Sequence, residues 1–254
     1  MDSMNTLEQF DFSGLEQSIR LDLAESFRAA WAHIAAPGPG WSSAERVAIA
    51  DESRYAETCA LCRESKAALS PNSVKGTHDC SGVLSDLATN TVHRISSDAE
   101  RLSKSFYEKT LRAGLSDSQW VEIVGIASIL KSIDAFHRAL GLPVEPLPES
   151  TSDVATGYRP QGLSDSGGWV PMIKVSDLAE PEKMLYHGYP RMPNVLRSMS
   201  LVPDEVRNLA RLSDAMYLSV KDIPDFRAPG NRVIDRLQIE LIAARVSAIN
   251  ECFY

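Results

Sequence analysis

Apolar side chains recur at helical spacing through most of this chain, and no stretch shows the two-residue alternation of a half-buried strand. The clearest run is Asp117 to Leu140, where Val121, Ile123, Val124, Ile126, Ile129, Leu130, Ile133 and Phe136 recur before Gly141 and Pro143 close it. Such a chain can bury its apolar faces only by packing helix on helix, so the expected fold class is all-α. Earlier helices are expected over Gly14 to Ala36, stopped by Pro37-Gly38-Pro39-Gly40, and from a cap at Ser42 or Ser43 through Val47, Ile49, Ala50 and Tyr55 toward Cys59. Further helix follows up to Leu69, then over Gly82 to His93, then Asp98 to Ala113 behind an Asp cap. From Glu145 to about Arg191, Pro, Gly, Ser and Asp dominate, which reads as a linker of loops laid on a surface. Helices resume over Pro193 to Ser200, Pro203 to Ser219 and Ile234 to Asn250.

The final helix carries the most chemical information. Leu237, Ile239, Leu241, Ile242, Val246 and Ile249 predict a largely buried helix ending near Asn250, with one carboxylate, Glu240, inside the apolar run and one thiol, Cys252, just past its end. A buried carboxylate needs a partner or a proton to handle.

Composition bounds the function classes. The chain has 254 residues, 44% of them apolar and 24% charged, enough for one large or two small cores. A net charge of -8 without any basic stripe argues against a nucleic-acid or membrane-surface partner. The opening MDSMNTLEQFDF has no signal-peptide pattern and no apolar run approaches a membrane span, so a cytoplasmic location is expected. Four cysteines, two of them as Cys59-Ala-Leu-Cys62, then fit a redox or metal role better than a disulfide framework.

The wording ELxxxRVSxxNxC from Glu240 to Cys252 resembles the catalytic helix of the alkylhydroperoxidase D and carboxymuconolactone decarboxylase superfamily, in its peroxidase-related branch. There a Glu is followed, after eleven intervening residues, by Cys-x-x-Cys and then by a His four residues after the second Cys. The resemblance implies that the second Cys attacks a hydroperoxide, the first resolves it as a disulfide, and Glu and His relay protons, with a thiol or dithiol as electron donor and no cofactor. Glu240 and Cys252 match the Glu and the first Cys, while the second Cys and the His would fall beyond Tyr254. Some members carry selenocysteine at that second position, encoded by a codon that otherwise means stop, and a product reading on from Cys-Phe-Tyr into selenocysteine is expected on that ground. The segments Glu45 to Cys62 and Gly114 to Pro143 extend the likeness. They imply one complete unit over residues 14–148, a loop-rich linker over 149–191 and the front half of a second unit over 192–254, in a homo-oligomer.

The first unit departs from the pattern. Val47 stands where the Glu should be and Lys66 where the His should be, while Glu45, Glu52 and Glu57 lie off the spacing. Cys59 and Cys62 still supply two thiols within one turn, enough to close a disulfide. The catalytic candidates are therefore Glu240, Cys252, Cys59 and Cys62. Three readings compete with this one: an inert remnant whose sulfurs pack as small hydrophobes, a redox-inactive helical scaffold or oligomerisation subunit, and a tetrahedral zinc site at Cys59, Cys62, His78 and Cys80. The His-x-Cys half of that set is poorly spaced, and no metal is assigned. His137 reads as a hydrogen-bonded core residue, His93 and His187 as structural, the four tryptophans as packing, and Glu122 as a salt-bridge partner of Lys131 or Arg138.

Overall fold

The computed structural model describes residues 9–16, 18–187, 191–219, 222–223, 225–227, 232–250 and 252. Helices dominate it: α1 (Leu21–Ala35), α2 (Ser43–Thr58), α3 (Ala60–Ala67), α4 (Asp86–Ser97), α5 (Lys104–Arg112), α6 (Asp117–Ala139), α7 (Asn194–Arg197), α8 (Pro203–Met216) and α9 (Arg236–Ile249). Two two-residue strands, β1 (Leu163–Ser164) and β2 (Met172–Ile173), pair antiparallel. No described helix is long and apolar enough to cross a membrane.

Local chemistry sets the helix ends. Ser42 and Ser116 each form a capping box, with Glu45 and Gln119 respectively, and Ser85 and Ser103 accept from the third backbone N–H of α4 and α5. At the other end of α6, Gly141 adopts φ 69° and the Leu142 N–H returns to the His137 carbonyl, the left-handed stop that the sequence signals. One expected helix is broken. Asp98 is buried between Arg94 at 2.6 Å and Arg101 at 2.8 Å, so its carboxylate is committed to guanidinium groups instead of an N-terminus. A short 3₁₀ turn follows over Ala99–Arg101, and the helix restarts at Lys104.

Helix α2 lies at the centre, packed against α4, α6 and α1, with α8 laid across α1 and α6. Phe27, Trp31 and Ile34 of α1, Ile49 of α2, Val92 of α4 and Ile123, Ile126, Ile129, Leu130 and Ile133 of α6 fill one continuous core. Three of the four tryptophans follow the packing expectation: Trp31, Trp41 and Trp120 are buried, the first two donating their indole N–H groups to the Pro146 and Gln119 carbonyls, while Trp169 is exposed and stacks on Tyr107. His137 is likewise a core residue, its Nδ1 2.8 Å from the Pro143 carbonyl and its ring among Phe10, Phe12 and Phe136.

Two expectations need correction. The 149–191 stretch is not a linker on the surface. Met172, Ile173 and Tyr186 are fully buried in the same core, and Val202 and Val206 join it from the following segment. The chain after α6 is held against the 37–43 turn by backbone hydrogen bonds from Ser43 to Asp153, Thr156 to Gly38 and Gly157 to Pro39. Tyr186 donates to the Ile173 carbonyl and Ser200 accepts the Ile173 N–H, so polar backbone that a Pro- and Gly-rich stretch cannot satisfy internally is satisfied by tertiary partners. The second correction concerns α9, which forms as a helix but is not largely buried. Only Ile239 is buried, while Leu237, Leu241, Ile242, Val246 and Ile249 are exposed. Its one covered stripe faces a crevice of about 280 Å³ shared with Leu23, Phe136 and Met216.

The core also holds an ion cluster. Arg46 of α2 donates to Glu122 of α6 at 2.5 Å and to Glu205 of α8 at 3.0 Å, all three side chains being buried, and His33 Nε2 lies 2.9 Å from Glu205 Oε1. Glu122 thus pairs with Arg46, while Lys131 and Arg138 go to Glu57. Glu122 also accepts the Gly40 N–H at 2.6 Å, and it sits so close to Gly38 that a Cβ there would overlap Glu122 Oε2. That contact requires the Pro-Gly-Pro-Gly turn. Burial pushes the Glu122 carboxyl up to about 7 against the opposing pull of Arg46. Burial would raise Glu205 too, but His33 and Arg46 outweigh it and hold that carboxyl below its ordinary value.

Arg46→Leu leaves two buried carboxylates without their shared cation, and urea unfolding should show a loss of about 3–5 kcal/mol. Because Glu122 is held above its ordinary 4.5, the folded state takes up its proton before the unfolded chain does. Its stabilising contribution is complete below about pH 4.5 and lost as pH rises through about 7. Relative to Glu122→Gln, the wild type should therefore lose on the order of 3 kcal/mol across that window. A difference between the two proteins that does not change with pH would show that Glu122 is ionised throughout.

Candidate functional site

Helix α2 ends at Thr58, and Cys59 serves both as its C-cap and as the N-cap residue of α3. The extended backbone there, φ -60° and ψ 126°, bends the chain so that Cys59 and Cys62 both face inward; both are buried, with Ala56 beneath them. The two sulfurs lie within 4.8 Å of each other and of ring nitrogens from His78 and His93. Among the described residues, this is the one place where the chain gathers thiols and imidazoles.

His93 lies on the core face of α4, one turn beyond Thr89 and one turn before Ser96, all three buried. Its Nδ1 is 3.2 Å from Cys62 Sγ and its Nε2 is 2.9 Å from Glu52 Oε2. Glu52, two turns before Cys59 on α2, is fully buried, and its other oxygen accepts both the backbone N–H and the hydroxyl of Ser81 at 2.7 and 2.5 Å. A carboxylate accepting three hydrogen bonds is a pure acceptor, so His93 carries its proton on Nε2 and presents a bare Nδ1 to the sulfur. Burial lowers the imidazole's affinity for a second proton, with Glu52 opposing part of that shift. Burial likewise pushes the Cys62 thiol up to about 12, only partly offset by a hydrogen bond to Ser97 and by the charge of Arg94.

His78 arrives from the segment between α3 and α4. Asp79 accepts the Ala60 N–H at the first turn of α3, and Ser81 is held by Glu52, so the segment is pinned on both sides of the histidine. His78 Nδ1 lies 3.5 Å from Cys59 Sγ and 3.6 Å from Cys62 Sγ, and its Nε2 is 3.2 Å from Asn90 Oδ1. The two imidazole centroids are 4.3 Å apart. His78 is half-buried, while the other three members of the group are buried.

Of the residues that the sequence singles out, the structure therefore joins Cys59, Cys62 and His78 and leaves Cys80, a member of the competing zinc reading, exposed and outside the group. His93 takes that place. His93, read from the sequence as structural and without an obvious partner, has its partners 31 and 41 positions away along the chain. Glu52 stands two helical turns before Cys59, off the spacing that the resemblance implies, and is the buried carboxylate that the structure brings to this group. A signal for His93 was present: Thr89, His93 and Ser96 form a polar stripe at helical spacing on an otherwise apolar face of α4.

Glu240 and Cys252 are not brought together. Glu240 is partly exposed and accepts hydrogen bonds from Tyr217 and Arg236, both at 2.7 Å. Arg236 in turn caps the Asp222 and Ile223 carbonyls and stacks over Phe226, so Glu240 anchors the preceding segment. Cys252 is exposed, and its backbone N–H returns to the Ser247 carbonyl, which is roughly 10 Å of helix rise beyond Glu240. Phe253 and Tyr254, where the selenocysteine expectation is anchored, lie outside the described residues. Comparisons of the chain with protein-family models, with curated proteins and with solved structures find no match.

Proposed function

We propose that the Cys59–Cys62 site is a thiol-dependent oxidoreductase centre of the alkylhydroperoxidase D-like type, reducing hydroperoxides at the expense of a thiol or dithiol donor. The observation that carries this reading is the buried line Glu52, His93, Cys62, in which a nucleophile, a base and a carboxylate are each within hydrogen-bond reach of the next. A buried thiol does not ionise unaided, and an imidazole at its sulfur supplies the missing base.

In this scheme His93 Nδ1 takes the Cys62 proton while Glu52 holds Nε2–H and stabilises the imidazolium. The Cys62 thiolate attacks the distal oxygen of the hydroperoxide, the O–O bond breaks, and the imidazolium returns the proton to the departing alkoxide. The alcohol leaves and Cys62 is a sulfenic acid. Cys59 then attacks that sulfur, water departs, and a Cys59–Cys62 disulfide remains, which an external dithiol reduces by exchange. Glu52 and His93 stand in for the relay that the sequence seeks at the family spacing. The site is assembled within residues 52–93 and does not draw on Glu240 or Cys252.

The alternative reading, a redox-inactive helical subunit, is favoured by a different observation: α9 leaves Leu237, Leu241, Val246 and Ile249 exposed along one helix. A second copy of the chain is the partner this reading expects.

Purified protein incubated with cumene hydroperoxide and a dithiol should consume peroxide. Cys62→Ser should abolish turnover, and His93→Asn should lower it by about 10²–10⁴-fold. Peroxide alone should convert the reduced protein to a form two hydrogens lighter, with the disulfide mapping to Cys59 and Cys62. Neither turnover nor that disulfide would leave the helical-subunit reading standing.

A further inference from the structure

Cys59, Cys62, His78 and His93 together admit a chemistry that does not depend on the redox reading. Both imidazoles are oriented alike. Each directs Nε2 outward to an oxygen acceptor, Glu52 Oε2 for His93 and Asn90 Oδ1 for His78, and each turns Nδ1 inward to the sulfurs. A ring whose N–H is held by an outer oxygen is fixed in the tautomer that donates its other lone pair to a metal. The spacing fits as well. Zinc–sulfur and zinc–nitrogen bonds of about 2.3 and 2.0–2.1 Å at tetrahedral angles put each sulfur roughly 3.6 Å from each nitrogen. Three of these separations are 3.2, 3.5 and 3.6 Å, and all four ligand atoms fall within 4.8 Å of one another.

We infer that Cys59, Cys62, His78 and His93 form a tetrahedral zinc(II) site, with Glu52 and Asn90 as the outer groups that orient the two imidazoles. Two thiolates and two neutral imidazoles are a donor set that zinc prefers among the abundant divalent cations, and they balance its charge. Binding displaces two protons, one from each thiol, and makes no demand on any oxidant or reductant. The anchors on the His78 segment acquire a purpose here. Asp79 on the Ala60 N–H and Ser81 on Glu52 hold a half-buried histidine over two buried sulfurs, where burial of the thiols alone would not require it. The fourth ligand is His93 and not Cys80, which is exposed. A zinc ion here would occupy both sulfurs, so metal-bound and disulfide forms exclude one another.

The test uses the full chain, reduced and stripped of metal, titrated with Zn²⁺ against a chromophoric chelator and separately with Co²⁺. One equivalent should bind with a Kd below about 0.1 µM at pH 7. The cobalt form should show the visible bands of a tetrahedral ion together with thiolate-to-metal charge transfer. His78→Gln, on the half-buried ligand, should weaken zinc by about 10²-fold or more while leaving the helical circular dichroism unchanged, and Glu52→Gln should weaken it by about 10–100-fold. Cys80→Ser should bind as the wild type does. Absence of stoichiometric zinc at micromolar concentrations, an octahedral cobalt spectrum, or wild-type affinity in both His78→Gln and His93→Gln would overturn the assignment. Loss of binding in Cys80→Ser would transfer it to the other ligand set and overturn this one. Protein that binds zinc yet reduces no peroxide retains this site and loses the proposed peroxidase. Turnover without zinc binding does the reverse.

Discussion

Helix α2 carries two ionic side chains, Arg46 and Glu52, into the interior, and neither can stay there without partners drawn from elsewhere in the chain. Arg46 recruits Glu122 from α6 and Glu205 from α8. Glu52 recruits His93 from α4 and Ser81 from the segment before it. Most of the tertiary arrangement follows from those two demands. The Arg46 cluster ties the 37–43 turn and α8 to the same place, and the Glu52 cluster draws α4 and the His78 segment over the sulfurs. Because the two groups are on one helix, less than two turns apart, packing that satisfies one also fixes the position of the other.

The two clusters differ in what they can do. At Arg46, one cation is shared by two carboxylates that end with opposite displacements, Glu122 above and Glu205 below its ordinary range. With His33 of α1, they join four helices and a glycine turn. At Glu52 the carboxylate is satisfied, the imidazole is fixed in one tautomer, and the atoms at the end of the line are sulfurs. An oriented imidazole next to a thiol can serve as base or as ligand. His78 is the half-buried member of the group, and the other three are buried.

Helices were legible in the sequence where they are written locally: Ser42 caps, Gly141 stops, and the apolar period of α6 runs unbroken, whereas α4 and α5 start later than expected, behind Ser85 and Ser103. Failures came where a long-range partner overrode a local signal. Asp98 looked like a cap and went instead to Arg94 and Arg101. The Pro- and Gly-rich 149–191 stretch looked like a surface loop, yet Met172, Ile173 and Tyr186 are buried in the common core. The helix from Arg236 had the composition of a buried element, but the described chain covers it only near Ile239.

Sequence alone determined the helical class and the proximity of Cys59 to Cys62, since these follow from spacing within one or two turns. Only the tertiary structure decided that Glu52 and His93 complete the site, that His78 joins it and Cys80 does not, and that Glu240 serves Tyr217 and Arg236. The reason is physical. A site closed by hydrogen bonds between residues tens of positions apart leaves no fixed spacing in the chain, because the helices and turns between its members can vary in length while the packed geometry stays the same.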